Sequence, residues 1–445
     1  MGRDRLRSLF LFMTNLKLNN KKITNAWCMY DWANSVYSLT ITTAVFPIYF
    51  ESVTTDADGG KLVEFFGWVL PNTVLYSYAL SFSFLLTALV IPLLTGIADY
   101  TGKKKLFLKA FAYLGSAACA GMFFFDGPNL EFGVLMAVLA SVGYSGSLVF
   151  YDAFLPEIAS QDRFDKLSAK GYSLGYVGSV ILLVLNLVMI EAPDLFGLEE
   201  GSLPARISFL TVAVWWAAFA QIPFKRLPDN PYKKRVEAGW IKKGYKELTL
   251  VYRQIQGLPN LKRYVVAYFF FNGGVQAVMY LAPLFGAKEL EMATQDLILT
   301  VLIIQLVAIG GAYLFANLSS RRGNIYSLMT MILIWIVVCF AAFFVQNTVQ
   351  FFVLAFFVGL IMGGIQALSR ATYSKLIPQD TEDHASFFSF YDVTFNLSIV
   401  AGTLAYGSIE FISGSMRYSA LGLSVFFILG LVLLRSVKVK SVTVA

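Results

Sequence analysis

Apolar residues along this chain come in blocks of about 20, the length a helix needs to cross roughly 30 Å of hydrocarbon. Val349 to Leu368 and Leu421 to Leu434 are solidly apolar examples, without the alternation of a barrel strand. Only helices and closed barrels satisfy their backbone hydrogen bonds in lipid, so the blocks predict membrane-spanning helices. The pattern places them at 27–50, 73–98, 106–125, 132–154, 170–190, 207–224, 264–286, 297–317, 325–345, 349–371, 387–411 and 418–434. The expected fold class is therefore all-α and integral to the membrane, with about 12 spans in two six-helix halves.

Composition agrees with that reading. The chain is 57% hydrophobic and 14% charged, against about a quarter charged in soluble domains, and its mean hydropathy is +0.64. The net charge of +7 marks topology, not nucleic acid. With an inside amino terminus and Lys109 counted with its adjacent loop, only Lys61, Arg206, Lys288 and Arg417 of the 35 Lys and Arg fall outside. The positive-inside rule then puts both termini in the cytoplasm. Cys28, Cys119 and Cys339 lie within spans and match neither a metal site nor a disulfide framework. Arg3, Arg5 and Arg7 precede an apolar run, Leu9 to Met13, too short for a cleaved signal, so an interfacial segment is expected there.

The organisation expected is a cytoplasmic segment 1–26, a six-helix bundle 27–224, a cytoplasmic linker 225–263, a second bundle 264–434 and a tail 435–445. The linker carries the turn Leu227-Pro228-Asp229-Asn230-Pro231 and helical patterning from Val236 to Gln256, read as an amphipathic helix on the membrane surface in a solvated linker. The halves look related. Phe154-Leu155-Pro156-Glu157-Ile158 ends span four and precedes Tyr172, as Lys375-Leu376-Ile377-Pro378-Gln379 ends span ten and precedes Tyr391. Parallel repeats with the substrate site between them are the major facilitator arrangement.

At 100° per residue, Asp31, Asn34, Ser35, Ser38 and Thr42 share one face of span one, and Gly359, Gly363, Gln366, Arg370 and Tyr373 one face of span ten. Span seven offers Asn272, Gln276 and Tyr280, and span four Tyr144, Ser147 and Tyr151. Tyr30, Tyr37 and Tyr391 suit a cavity because a phenol meets apolar and polar groups alike. Asp31, Asp152, Arg370 and Asp392 sit toward the cytoplasmic ends of their spans. A charge at mid-membrane costs about 2.5–3.5 kcal/mol, so each needs a reason. Arg370 is expected to pair with Asp31 or Asp152 across the halves when the cytoplasmic side closes. It would bind a substrate carboxylate when the cavity opens inward, with Asp31 taking an amine or a proton. Snorkelling, or permanent structural pairing, is the alternative.

Between spans two and three stands Gly96-Ile97-Ala98-Asp99-Tyr100-Thr101-Gly102-Lys103-Lys104-Lys105. It resembles the signature loop of the major facilitator superfamily. Gly96 permits close helix packing, Asp99 can cap a helix amino terminus, Gly102 allows a tight turn and the lysines suit an anionic leaflet. The counterpart, Asn317 to Asn324, lacks the acid. Trp27-Cys28-Met29-Tyr30-Asp31-Trp32-Ala33-Asn34-Ser35 and Phe46-Pro47-Ile48-Tyr49-Phe50 resemble the vacuole-effluxer-like branch of that superfamily. So do Phe154-Leu155-Pro156, Gly274-Val275-Gln276 and Gly364-Ile365-Gln366-Ala367-Leu368-Ser369-Arg370. The resemblance implies a central cavity lined by helices 1, 4, 7 and 10, and a latch at Gly96, Asp99, Gly102 and Lys103; the charges near the span ends add Asp152, Arg370 and Asp392 as gating residues. It also implies amino acids as the first substrate class and export as the direction. The branch commonly carries an acid where this chain has Gly273, which leaves Asp31 as the candidate for proton coupling, with uniport as the alternative.

Binding residues expected are Asp31, Asn34, Tyr37, Ser38, Tyr144, Tyr151, Asn272, Gln276, Gln366, Arg370 and Tyr391. Partners are a small-molecule substrate, protons and membrane lipids, with no nucleic acid; the chain reads as a monomer without cofactor in a bacterial plasma membrane. A membrane enzyme fits poorly, since the single histidine, His384, lies in a loop and no metal motif occurs. ATP-driven transport lacks its phosphate loop. Transport of sugars or short peptides, lipid movement and a non-transporting role stay open, because fold does not fix substrate.

Overall fold

A computed structural model describes residues 18–55, 60–229 and 239–439. The segment expected at Leu9 to Met13, the linker stretch 230–238 and the end of the tail lie outside the described residues. Helix α1 is α-helical over Lys21–Val36, π-helical over Tyr37–Val45 and α-helical again over Phe46–Val53. The first half continues with α2 (Asn72–Thr101), α3 (Lys104–Met122), α4 (Leu130–Asp152), α5 (Phe164–Glu191) and α6 (Leu203–Phe219). The second half is α7 (Pro259–Glu289), α8 (Thr294–Arg322), α9 (Asn324–Phe344), α10 (Thr348–Leu376), α11 (His384–Ser413) and α12 (Met416–Leu434). Among the described residues, 10 helices are long and apolar enough to cross a membrane. The other two of this set are α1, broken by its π-helical stretch, and α3, whose lysines dilute its apolar run.

The π-helical stretch follows from hydrogen bonds that reach back five residues, as from the Phe46 N–H to the Ile41 carbonyl. The Thr43 hydroxyl does the same to the Ser38 carbonyl at 2.9 Å. An antiparallel hairpin, Leu62–Phe65 with Trp68–Pro71, joins α1 to α2. Phe66 and Gly67 both have positive φ (48° and 83°), as a two-residue hairpin turn requires.

Within each half the helices pack as α1 on α5, α3 on α4, α7 on α11 and α12, and α8 on α10. Between halves, α2 meets α11 and α5 meets α8, two crossings that the pseudo-symmetry exchanges, and α11 also meets α4. Gly359 and Gly363, expected on a cavity face of α10, instead lie against the α8 backbone at Ile304 and Ala308, where a Cβ would collide. Their small size serves helix packing.

The linker helix, Trp240–Gln256, is not merely solvated. Its Gly244 lies on α2 so closely that a Cβ there would come within 2.7 Å of Ile97, and a Cβ on Gly96 would strike the Gly244 carbonyl. Val251 and Ile255 are buried, and Tyr252 meets Phe390 of α11 with ring centroids 6.0 Å apart. The helix thus bridges both halves beside the signature loop.

Gly96→Val must displace backbone, a strain of about 1–3 kcal/mol. Trypsin should then cut faster at Lys242, Lys243 and Lys246 than in the unaltered chain; an unchanged rate would show that the contact does not hold the linker helix.

Candidate functional site

Arg370, on α10, is 1% exposed. Its Nη1 donates to Asp152 Oδ1 of α4 at 3.0 Å and its Nη2 to Asp31 Oδ2 of α1 at 3.1 Å. Nε donates to the Ser168 hydroxyl of α5 at 2.9 Å and Nη2 to the Ser168 carbonyl at 3.2 Å. The Ser168 hydroxyl in turn donates to the Ala367 carbonyl at 2.7 Å, returning to α10. Among the described residues, every hydrogen-bond partner of the guanidinium comes from the first half. Three rings surround it: Tyr172 at 4.3 Å, Trp27 at 4.8 Å and Tyr151 at 5.4 Å from ring centroid to guanidinium carbon. A planar, delocalised cation tolerates this setting better than an ammonium would.

Asp31 is held from several directions. The Tyr151 hydroxyl donates to its Oδ2 at 2.8 Å. Trp27 fixes Tyr151 in turn, donating its indole N–H to the Tyr151 carbonyl at 3.0 Å with the rings stacked at 4.6 Å. Gly171 of α5 passes so close that a Cβ would overlap the Asp31 carboxylate.

Two further junctions lie at the same end. Asp99 Oδ1 accepts from the Ala385 N–H at 3.2 Å and Oδ2 from the Ser386 N–H at 2.6 Å, so the carboxylate sits on the amino terminus of α11, where unpaired amides favour an anion. At the pseudo-equivalent crossing the acid stands on the other partner. Asp165, at the start of α5, accepts from Ser319 of α8 at 2.9 Å and Asn324 of α9 at 2.8 Å, and pairs with Lys375 of α10 at 2.8 Å. The hydrogen bonds named here between halves all lie at this end, which the basic-residue count assigns to the cytoplasm.

Behind this layer, the Tyr176 hydroxyl donates to Gln366 Oε1 at 2.6 Å across the halves. Asn272 donates to Ser398 at 2.7 Å, and Gln276 to Asn272 at 3.4 Å. Tyr37 meets Tyr144 with centroids 5.0 Å apart, and with Thr42, Phe46, Tyr76, Ser83 and Ser141 lines a narrow cleft between α1, α2 and α4. Asn34 is buried; its Nδ2 has no hydrogen-bond partner among the described residues.

The family described as "vacuole effluxer Atg22 like" matches residues 19–444. The chain belongs to this family. It is 30% identical to the uncharacterised MFS-type transporter YxiO of Bacillus subtilis, over 95% of this chain and 96% of that one. It is 22% identical to autophagy-related protein 22 of Pichia angusta, over 86% of each. The crystal structure of FucP, a major facilitator transporter in the outward conformation, superposes with a TM-score of 0.69 at 14% identity, covering 95% of this chain and 99% of that one. This member of the Atg22-like family has the major facilitator fold and is a multi-pass membrane transporter of the alternating-access class.

Several expected placements change in this family member. Lys104 and Lys105 do not reach for lipid: both are buried, Lys104 against Glu157 and the Ala153 carbonyl, Lys105 on the Leu227 carbonyl at 2.8 Å and Asp229 at 3.1 Å. A basic end rich in first-half acids and carbonyls claims them, and Lys103 alone of the three is exposed. Gly102 closes α2 with φ 69°, as a tight turn needs. Tyr391 lies inside the second half, stacked on Tyr268 at 4.4 Å and tilted against Tyr373 at 4.8 Å between ring centroids. Tyr151 serves Asp31 and Arg370. His384 is no loop residue; it opens α11 and is buried. Asp392, expected as a gating residue, accepts from Asn396 of its own helix at 3.0 Å, and among the described residues no cation pairs with it. Sequence reasoning missed Asp165, Ser168 and Lys375: all three fall just outside the expected spans, and polar residues at span ends give no signal until the halves are docked.

Removing the cation by Arg370→Met should leave two buried carboxylates unpaired and lower unfolding stability by about 3–5 kcal/mol. Adding Asp31→Asn and Asp152→Asn should recover much of that loss. A single variant as stable as the parent, measured by thermal unfolding in detergent, would contradict the pairing.

Proposed function

We propose that this transporter exports a small amphipathic solute, amino acids first, across a bacterial plasma membrane as a monomer, with protons as the coupling ion. The observation that carries the reading is the Arg370 junction, in which one buried cation of the second half is neutralised by Asp31 and Asp152 of the first. A junction of this kind has two arrangements: closed, with the guanidinium on Asp31 and Asp152, and open, with those charges released to a water-filled cavity.

In the open arrangement Arg370 presents a planar fork that suits a substrate carboxylate, and Asp31 an acid that suits an amine. Asn34, one turn along α1 from Asp31, supplies a buried amide donor with no other partner among the described residues. Ser38, Tyr37 and Tyr144 on α1 and α4, with Asn272, Gln276 and Gln366 on α7 and α10, are the further binding residues of this arrangement, Gln366 once its bond to Tyr176 parts. Asp99 on the α11 amino terminus, with Gly96, Gly102 and Lys103 shaping its loop, forms the latch that parts when the basic end opens. The family's description as effluxers supports the direction, and the paired carboxyl and amine sites support amino acids over sugars.

A thermal-shift screen of the purified protein against amino acids, dipeptides and sugars checks this. A ligand at about a hundred times its dissociation constant stabilises the folded state by about 2.7 kcal/mol. Amino acids should shift the transition in the parent and not in Arg370→Gln, each measured against its own baseline. Shifts by sugars alone would overturn the substrate assignment.

A further inference from the structure

Asp392 is the buried acid that the Arg370 junction leaves out. It lies on α11 at the crossing with α4 and is 9% exposed. Among the described residues no Lys, Arg or His pairs with it. Its Oδ2 accepts from Asn396 Nδ2 at 3.0 Å, one turn along the same helix. Asn396 is itself 2% exposed, and its Oδ1 is buried without a hydrogen-bond partner.

The groups around Asp392 do not compensate its charge. From α4 comes Asp152, a like charge across the junction. From α10 come Tyr373, tilted against the neighbouring Tyr391, and Arg370, which donates to Asp31, Asp152 and Ser168. Helix α7 contributes Tyr268, on the other face of Tyr391. Asp99 of α2 sits at the far cytoplasm-assigned end of α11, and Tyr252 of the linker helix meets Phe390. The charged residue of α12, Arg417, is bound to Glu289 at the opposite end. Of the three carboxylates Asp31, Asp152 and Asp392, only the first two meet the guanidinium. With two of them on the cation, the third has a like charge opposite it and a medium that resists an unpaired ion.

We infer that Asp392 is the proton-binding site of the transport cycle, with closure of the basic end requiring its neutral form. This rests on the alternating-access reading and moves the coupling role from Asp31, whose carboxylate the junction occupies, to Asp392. In the closed arrangement the carboxyl holds its proton, and rotation of the Asn396 amide brings Oδ1 round to accept the O–H. When the basic end opens, α11 and α4 separate, water reaches Asp392 and the proton leaves to solvent. The carboxylate then opposes closure until a proton returns. Because the closed state prefers the protonated form, acid favours closure and alkali favours opening.

The test is a distance measurement between spin labels at Asp162→Cys and Asp380→Cys, both exposed at the basic end and on different halves, in the full chain in lipid nanodiscs, from pH about 8 to pH about 5. The expected result is a shift toward the shorter distance as pH falls, and its loss in Asp392→Asn, which stays at the shorter distance throughout. If Asp392→Asn keeps the parent's shift, or if two distances coexist in the parent with no response to pH, the proton site is overturned and alternating access stands. A single distance in both proteins at every pH would overturn the transport reading and this assignment with it.

Discussion

Arg370 comes from the second half of the molecule, and the carboxylates that neutralise its buried guanidinium, Asp31 and Asp152, come from the first. A buried cation with one partner removed is destabilising by several kcal/mol, so its compensation and the docking of the halves are one event. Much of the surrounding sequence serves that event. Gly171 gives way to the Asp31 carboxylate, Ser168 carries the network back to α10, and Trp27, Tyr151 and Tyr172 surround the cation. The contacts are polar and directional, unlike the small-residue packing of α8 on α10, which can slide only at the cost of backbone clashes.

The junctions flanking Arg370 show how pseudo-symmetry is used without being copied. At the α2–α11 crossing the acid is Asp99 on α2, bonded to the amides that open α11. At the α5–α8 crossing it is Asp165 on α5, bonded to side chains that end α8 and open α9. Either placement puts one carboxylate into a cluster of donors at a helix junction, and both close the same end. The linker helix, seated glycine to glycine on α2 and touching α11, spans this end from outside. It is placed to couple any movement of α2 against α11 to the basic face of the protein.

How much of this was legible in the chain depends on the range of the interaction. The helices, their two-half arrangement and the Asp99 cap could be read because hydropathy, repeats and a ten-residue motif are local. Arg370 with Asp31 and Asp152 could be read because charges within apolar spans must meet opposite charges. The π-helical stretch of α1 could not, since extra backbone turns leave no period in Tyr37 to Val45. Nor could the burial of Lys104 and Lys105, because a lysine facing lipid headgroups and a lysine facing Glu157 look alike in sequence. Asp165 was hidden for the same reason. The hairpin at Leu62 to Pro71 carries only a Phe-Gly turn, a weak signal without the Asn or Asp that usually precedes the glycine.

The central claim is that the Arg370 junction holds the basic end shut. Amide hydrogen exchange of the full chain in lipid, compared between the parent and Arg370→Met, tests it without a substrate. The account predicts faster exchange in 152–170 and 365–390, where α4, α5, α10 and α11 meet, together with slower exchange in 46–72 and 278–296 as the opposite end closes. Exchange that rises equally at both ends, or stays unchanged in 152–170 and 365–390, would contradict it.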